Sequence, residues 1–244
     1  MASDAQNSPF IKHLASSDKD TRDQALDALR TFLSGRNEIA EIDLLKLWKG
    51  LFYCLWMQDK PILQQRLSRD FAGLVEVLKT DVVMPFLSCF WKTMAREWNG
   101  IEALRRDKYL FLVRQYLNTT FRYLSRNSWR NTAAVAEYTS ILAETPLSST
   151  NTRIPAGLTY HVLDCYVDEL EKVAGEEMDN EVLARLLEPV EQLRTESKTK
   201  AVRNAAKECL DDDRLKVWRG EKVGGEEDVE MGDGEGDEWG GIQD

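Results

Sequence analysis

Apolar residues recur at three-to-four spacing, helix starts return at intervals of 40 to 53 residues, and no segment shows strand-like alternation. Together these predict an all-α protein, an irregular HEAT/armadillo-like helical-repeat solenoid of about five helix pairs. The second helix of each pair is expected near Asp18, Pro61, Ile101, Ile154 and Lys198. The segment 145–155, TPLSSTNTRIP, is rich in Pro, Ser, Thr and Asn and accounts for the long interval as an inserted loop.

The densest apolar stretch is LWKGLFYCLWMQDKP, 47–61. Leu44, Leu51 and Leu55 fall on one stripe, and Leu45, Phe52 and Trp56 on a second beside it. A helix with so wide an apolar face packs on more than one side. Pro61 suits the first turn of the next helix, where its missing N–H costs nothing. Leu63, Leu67, Phe71, Leu74 and Leu78 then line one face, so the pair reads as an αα-hairpin turning at 58–60. Trp48, Phe52 and Trp56 are expected to be mostly core, because solenoid repeats bury their faces against neighbours.

Composition sets the outer limits. With 43% hydrophobic and 30% charged residues the chain has the make-up of a globular protein. MASDAQNSP reads as no secretory signal, and no run approaches the ~18 apolar residues of a membrane span. Cys54, Cys89, Cys165 and Cys209 lack paired spacing, which favours buried free thiols over disulfides or zinc. The net charge of −10 is uneven: residues 219–244 hold ten acids against Arg219 and Lys222, with eight of the fourteen glycines. The expected organisation is a helical-repeat domain over 1–218, near neutrality, and a disordered acidic Gly-rich tail over 219–244.

Candidate chemistry is sparse. His161 and Cys165 share a helix face, but no second ligand pair accompanies them, and His13 stands apart. Asp211, Asp212 and Asp213 read as a solvated helix end. Glu169 with Glu171, and Glu176 with Glu177, are pairs that 42 acids produce by chance. No phosphate-binding glycine loop or nucleophile elbow is present. No catalytic residue, metal site, cofactor or small-molecule substrate is assigned. One charge feature stands out: residues 92–130 carry nine basic and three acidic residues. On the helix following Ile101, Leu110, Val113, Leu117, Phe121 and Leu124 make the expected buried stripe. Arg105, Lys108, Arg122 and Arg126 fall opposite, with Phe111 and Leu112 among or beside them. Such a face is either simply solvated or a binding surface for RNA backbone or an acidic protein.

FIKHLASSDKDTRDQALDALRTFL, LWKGLFYCLWMQDKPILQQRLS and WNGIEALRRDKYLFLVRQYL, in that order, resemble hallmark segments of the ribosomal RNA-processing protein 1 family of eukaryotic nucleolar factors. The resemblance spans roughly residues 8–217. It implies an all-helical domain in the nucleolus, supporting maturation of large (60S) subunit precursors without cutting RNA. The implied partners are pre-60S assembly factors and ribosomal proteins, and pre-rRNA backbone; the candidate rRNA- or partner-binding residues, from the charge pattern, are Arg105, Lys108, Phe111, Arg122 and Arg126. Family members often end in a long basic segment, whereas an acidic one stands here. The competing expectation is a generic HEAT-type adaptor unrelated to ribosomes.

Overall fold

The computed structural model describes residues 13–221 apart from 15, 17, 127, 176 and 177. The acidic segment beyond Glu221, and the pair at 176 and 177, lie outside the described residues. The described residues contain ten α-helices and no strands, so the all-α expectation holds.

Local sequence sets each start. Asp18 caps α1 (Lys19–Ser34), accepting from the Thr21 amide at 2.8 Å. The next helix, α2 (Glu41–Trp56), has no side-chain cap but carries Glu41 and Asp43 in its first turn, where the helix dipole favours acids. Pro61 opens α3 (Pro61–Ala72), which tightens into a 3-10 turn at Gly73–Val77 before α4 (Thr80–Glu97). Two short 3-10 turns, Trp98–Gly100 and Ala103–Arg105, delay α5 (Arg106–Leu124), so this helix starts five residues after Ile101. Asn131 caps α6 (Thr132–Glu144), and residues 145–155 form the expected loop before α7 (Ala156–Ala174). Gly175, at φ 74°, turns the chain away. Asp179 caps α8 (Asn180–Glu196), α9 (Lys200–Leu210) follows, and Asp212 caps α10 (Asp213–Trp218).

The helices pack in two rows. In the first, α2 meets α4, α4 meets α6, and α6 meets α8; in the second, α3 meets α5, α5 meets α7, and α7 meets α9. α1 joins the second row through Asp23–Arg66 (2.9 Å) and Arg30–Asp70 ion pairs to α3, and α10 rests on α7. The second-row starts at Lys19, Pro61, Arg106, Ala156 and Lys200 follow the expected repeat.

Tryptophan and tyrosine lock the rows together. Trp48 is buried against Phe86, Phe90 and Tyr116, with ring centroids at 4.8, 4.9 and 5.1 Å. Its indole N–H donates to the Phe86 carbonyl at 2.9 Å. Phe52 stacks on Tyr109 at 4.4 Å, and the Tyr109 hydroxyl donates back to the Phe52 carbonyl at 2.8 Å. Tyr116 donates to the Phe71 carbonyl and Tyr166 to that of Leu186. Large rings thus supply apolar area while their polar tips find acceptors inside the core. Trp56 is only partly buried, at the edge of this cluster.

Ala replacement of Trp48 should cost about 3–5 kcal/mol in urea unfolding, as for large buried aromatics generally. Trp56→Ala should cost distinctly less because one side of the ring meets solvent. Tyr116→Phe should cost about 1 kcal/mol, the usual worth of one internal hydrogen bond. Equal losses for Trp48 and Trp56 would contradict this placement.

Candidate interaction surface

The five residues singled out on and around α5 do not form one patch. A helix of 19 residues spans about 28 Å, and Arg105 and Arg126 flank its opposite ends. At the first end, the Arg105 guanidinium lies 4.9 Å from the Trp56 ring centroid and pairs with Glu102 at 2.9 Å. The neighbouring Leu104 is 99% exposed, and Met57 and Ile62 are exposed at the α2–α3 turn. No apolar periodicity points to Leu104, since it stands in the short 3-10 turn Ala103–Arg105, outside any α-helix.

Lys108 corrects the expected outer face. It is 5% exposed, and its ammonium donates to the Trp56 and Gln58 carbonyls at 2.8 and 2.9 Å. A helix end leaves its last carbonyls without intrahelical partners, and Lys108 satisfies them from another helix. Burial pushes its pKa down to about 8, with the Arg105 charge acting in the same direction. Leu112 is likewise buried, whereas Leu110 is only partly so. The buried face of α5 therefore keeps Val113, Leu117, Phe121 and Leu124 of the expected stripe and widens to take in Lys108, Tyr109, Leu112 and Tyr116. Phe111 is half-buried beneath Arg69, whose guanidinium lies 5.3 Å from the ring centroid.

At the other end, Arg122 pairs with Glu76 at 2.8 Å, and Arg126 lies over Tyr123 at 5.2 Å. Arg130, four residues after Arg126, is exposed. Ser128 and Trp129 both adopt left-handed backbone, at φ 57° and 60°. That conformation costs non-glycine residues of order 1–3 kcal/mol each and persists only where the surroundings impose it. The Trp129 ring, buried in the core, supplies the anchor and fixes where Arg126 and Arg130 emerge.

The remaining candidates are engaged in packing. His161 Nε2 donates to the Leu110 carbonyl at 2.8 Å, and the Cys165 thiol donates to the His161 carbonyl at 3.0 Å. Burial lowers the His161 pKa and pushes the Cys165 thiol up to about 12. Glu169, 1% exposed, accepts from Arg114 and from Lys172 (2.7 Å). Arg214 bridges Glu171 (2.7 Å), Asp168 (3.0 Å) and Asp212 (2.7 Å), fastening α10 to α7. Asp212 is thus a helix start rather than part of a solvated helix end. Among the described residues no group of three or more His, Cys, Asp or Glu is placed to hold a metal. None of their helices is long and apolar enough to cross a membrane.

Lys108→Glu should lower stability by at least about 2 kcal/mol, because it takes the ammonium from the Trp56 carbonyl and adds a buried acid, while the Gln58 carbonyl keeps the Gln64 side-chain amide at 2.7 Å. Arg122→Glu should leave stability within about 1 kcal/mol, as for exposed ion pairs. The depressed pKa of Lys108 has a definite sign. Between its folded pKa of about 8 and the ~10.4 of an unfolded lysine, the unfolded chain binds the proton more tightly. Relative to Lys108→Met, the native protein should therefore gain stability as pH rises through that window and show no slope just below it. A difference that stays flat from pH 8 to 10 would contradict the burial.

Comparison with known proteins then supplies the family. A family model described as "Nucleolar protein, Nop52" matches residues 5–240. Human ribosomal RNA processing protein 1 homolog B is 38% identical over 186 residues, covering 74% of this chain and 24% of that protein. Human homolog A is 35% identical over 213 residues, covering 84% and 46%. The Drosophila melanogaster homolog is 32% identical over 196 residues, covering 76% and 27%. The chain spans between about a quarter and a half of the length of these relatives. With a single family model running across nearly its whole length, the chain belongs to the Nop52 family of nucleolar proteins.

Proposed function

We propose that this chain is a non-catalytic ribosome-assembly factor of the nucleolus. It holds large (60S) subunit precursors through pre-60S assembly factors and ribosomal proteins, with supporting contacts to the pre-rRNA backbone. The observation that carries this reading is the pair of basic, aromatic-flanked clusters at the two ends of α5. Arg105 sits on Trp56 with Leu104 next in sequence, and at the other end Arg126 lies over Tyr123, with Arg122 paired to Glu76 and Arg130 exposed four residues on. A packed helix holds the two clusters about 28 Å apart, a separation suited to bridging two elements of one particle. Lys108 has no part in either surface; its charge serves the α2 end.

The names of the relatives, which concern ribosomal RNA processing, support the substrate class. The carboxylates with the best-formed surroundings, Asp168, Glu169 and Glu171, are tied to Arg114, Lys172 and Arg214, which favours a structural role for them. Residues 1–218 are near neutrality, and affinity for nucleic acid grows with the number of phosphates neutralised. Protein partners therefore supply most of the attachment, and the arginines add local electrostatic contacts.

The tagged chain should co-sediment with large-subunit precursors on a gradient. Migration only with free protein would favour the adaptor reading instead. The isolated chain should bind RNA weakly. Reversing Arg105, Arg122 and Arg126 to Glu should reduce the slope of log K against log salt by roughly 2, as expected for three lost single-strand phosphate contacts. It should also weaken particle association and slow pre-rRNA maturation, with the melting temperature nearly unchanged. A folded triple variant that enters particles and supports normal processing would remove these arginines from the surface.

A further inference from the structure

Residues 145–155 and the connection 197–199 between α8 and α9 meet at an open pocket of about 340 Å³. Arg153 and Lys198 are its charged lining residues, and no carboxylate lines it. Neither of these side chains makes a hydrogen bond or an ion pair among the described residues. Ser197 also lines the pocket and is only 8% exposed. Its Oγ accepts from the Thr199 amide at 3.4 Å, and its hydroxyl proton has no acceptor among the described residues. Asn151 and Ser148 are placed alike: their side-chain oxygens accept from the Arg153 and Asn151 amides at 3.0 and 3.2 Å, which leaves their N–H and O–H groups to donate. Asn99, Thr152 and Thr199 add further neutral donors. The adjoining Glu196 accepts from the Ser149 hydroxyl at 2.9 Å. The spare hydrogen-bonding capacity of this lining is therefore weighted towards donors. By contrast, the groove of about 710 Å³ beside α2 and α4 is lined by Glu38, Glu41 and Asp81, and its Lys92 is already paired with Glu41 at 2.6 Å.

We propose that this pocket grips the sugar–phosphate backbone of RNA, a contact separate from the two arginine clusters of α5. Backbone phosphate and ribose are bonded by Arg, Lys, Ser, Thr and Asn side chains, which is the set gathered here. A phosphorylated side chain carries a charge of about −1.5 to −2 and is commonly met by a cluster of arginines. One arginine and one lysine among neutral donors match the single charge of a phosphodiester better. No aromatic ring lines the pocket, so bases find no stacking platform and the grip is indifferent to sequence. Its place also suits a strand. Asn99 belongs to the turn Trp98–Gly100, and a Cβ on Gly157 would stand 3.0 Å from Trp98 Nε1, so the start of α7 lies directly on that turn. The same connection runs on to Arg105, and His161 of α7 bonds the Leu110 carbonyl of α5, so the two helices start side by side. The pocket and the first arginine cluster thus share one edge of the molecule. Such a grip rests on the proposed association of this chain with pre-rRNA, but it is measurable on the isolated protein.

The test follows a labelled twelve-nucleotide oligouridine by fluorescence anisotropy, with the full chain, over a series of low salt concentrations. Arg153→Gln with Lys198→Gln should weaken binding and reduce the slope of log K against log salt by roughly 1.4, at ~0.7 per lost single-strand phosphate contact. The melting temperature should not change, because neither side chain has a partner to lose. Ser197→Ala removes one donor and no charge, so binding should fall about threefold with the slope unchanged. Lys46→Gln with Lys207→Gln removes two exposed charges elsewhere and should leave affinity and slope nearly unaltered. Equal effects of the two double variants, or no effect of either, overturn the pocket. Binding of a phosphoserine peptide that depends on Arg153 and Lys198, with RNA binding untouched by their loss, overturns RNA as the ligand. A chain that binds RNA through this pocket yet fails to co-sediment with large-subunit precursors supports the pocket and removes the particle role.

Discussion

The fold depends on one constraint: helices stacked in two rows are buried on several sides, and polar tips carried into that interior are stable chiefly where they find an acceptor, with Trp91 Nε1 and the Tyr138 hydroxyl as exceptions. Trp48, Tyr109, Tyr116 and Tyr166 meet it in one way. Each buries a ring between helices and donates to a main-chain carbonyl of a neighbouring helix. Such pins are directional, so they fix register between helices as well as adding apolar burial. Because Trp48 touches Phe86, Phe90 and Tyr116 together, α2, α4 and α5 are joined in one packed unit.

The same constraint decides which charges remain available to a partner. Lys108 satisfies the exposed end of α2, and Arg114 and Arg214 hold the acidic patch on α7 and the start of α10. What is left on the surface around α5 is a small set of arginines beside aromatic rings, divided between its two ends. Arginine keeps its charge under all physiological conditions, stacks on rings and bonds phosphate or carboxylate in a fork. A helix packed between two such clusters gives them a fixed span, the property the proposed scaffold role requires.

Much of this was legible in the sequence. The helix starts near Asp18, Pro61, Ile154 and Lys198, and the loop at 145–155, follow from local capping chemistry and repeat spacing, which act within a few residues. The core role of Trp48 and Phe52 follows from their place in a wide apolar face. The fate of Lys108 was not legible, because its acceptors lie about fifty residues away and only packing brings them near. For the same reason the buried face is wider than the stripe through Leu110: Val113, Leu117, Phe121 and Leu124 are buried as expected, and Lys108, Tyr109, Leu112 and Tyr116 are buried beside them. α5 is flanked by α3 and α7 and buries more than half its circumference, so periodicity alone does not fix its orientation. The left-handed turn at Ser128 and Trp129 has no signal either, since neither residue favours it; the buried indole imposes it.

The proposed role is tested most directly by cross-linking mass spectrometry on large-subunit precursors purified from cells that express the tagged chain. Ultraviolet and acidic-residue-to-lysine cross-links together report both RNA and protein contacts at residue level. The expected result is contact at both ends of α5, within 98–106 and within 122–131, to different elements of the particle. Cross-links confined to other faces, with both arginine clusters unmodified and open to solvent, would contradict it.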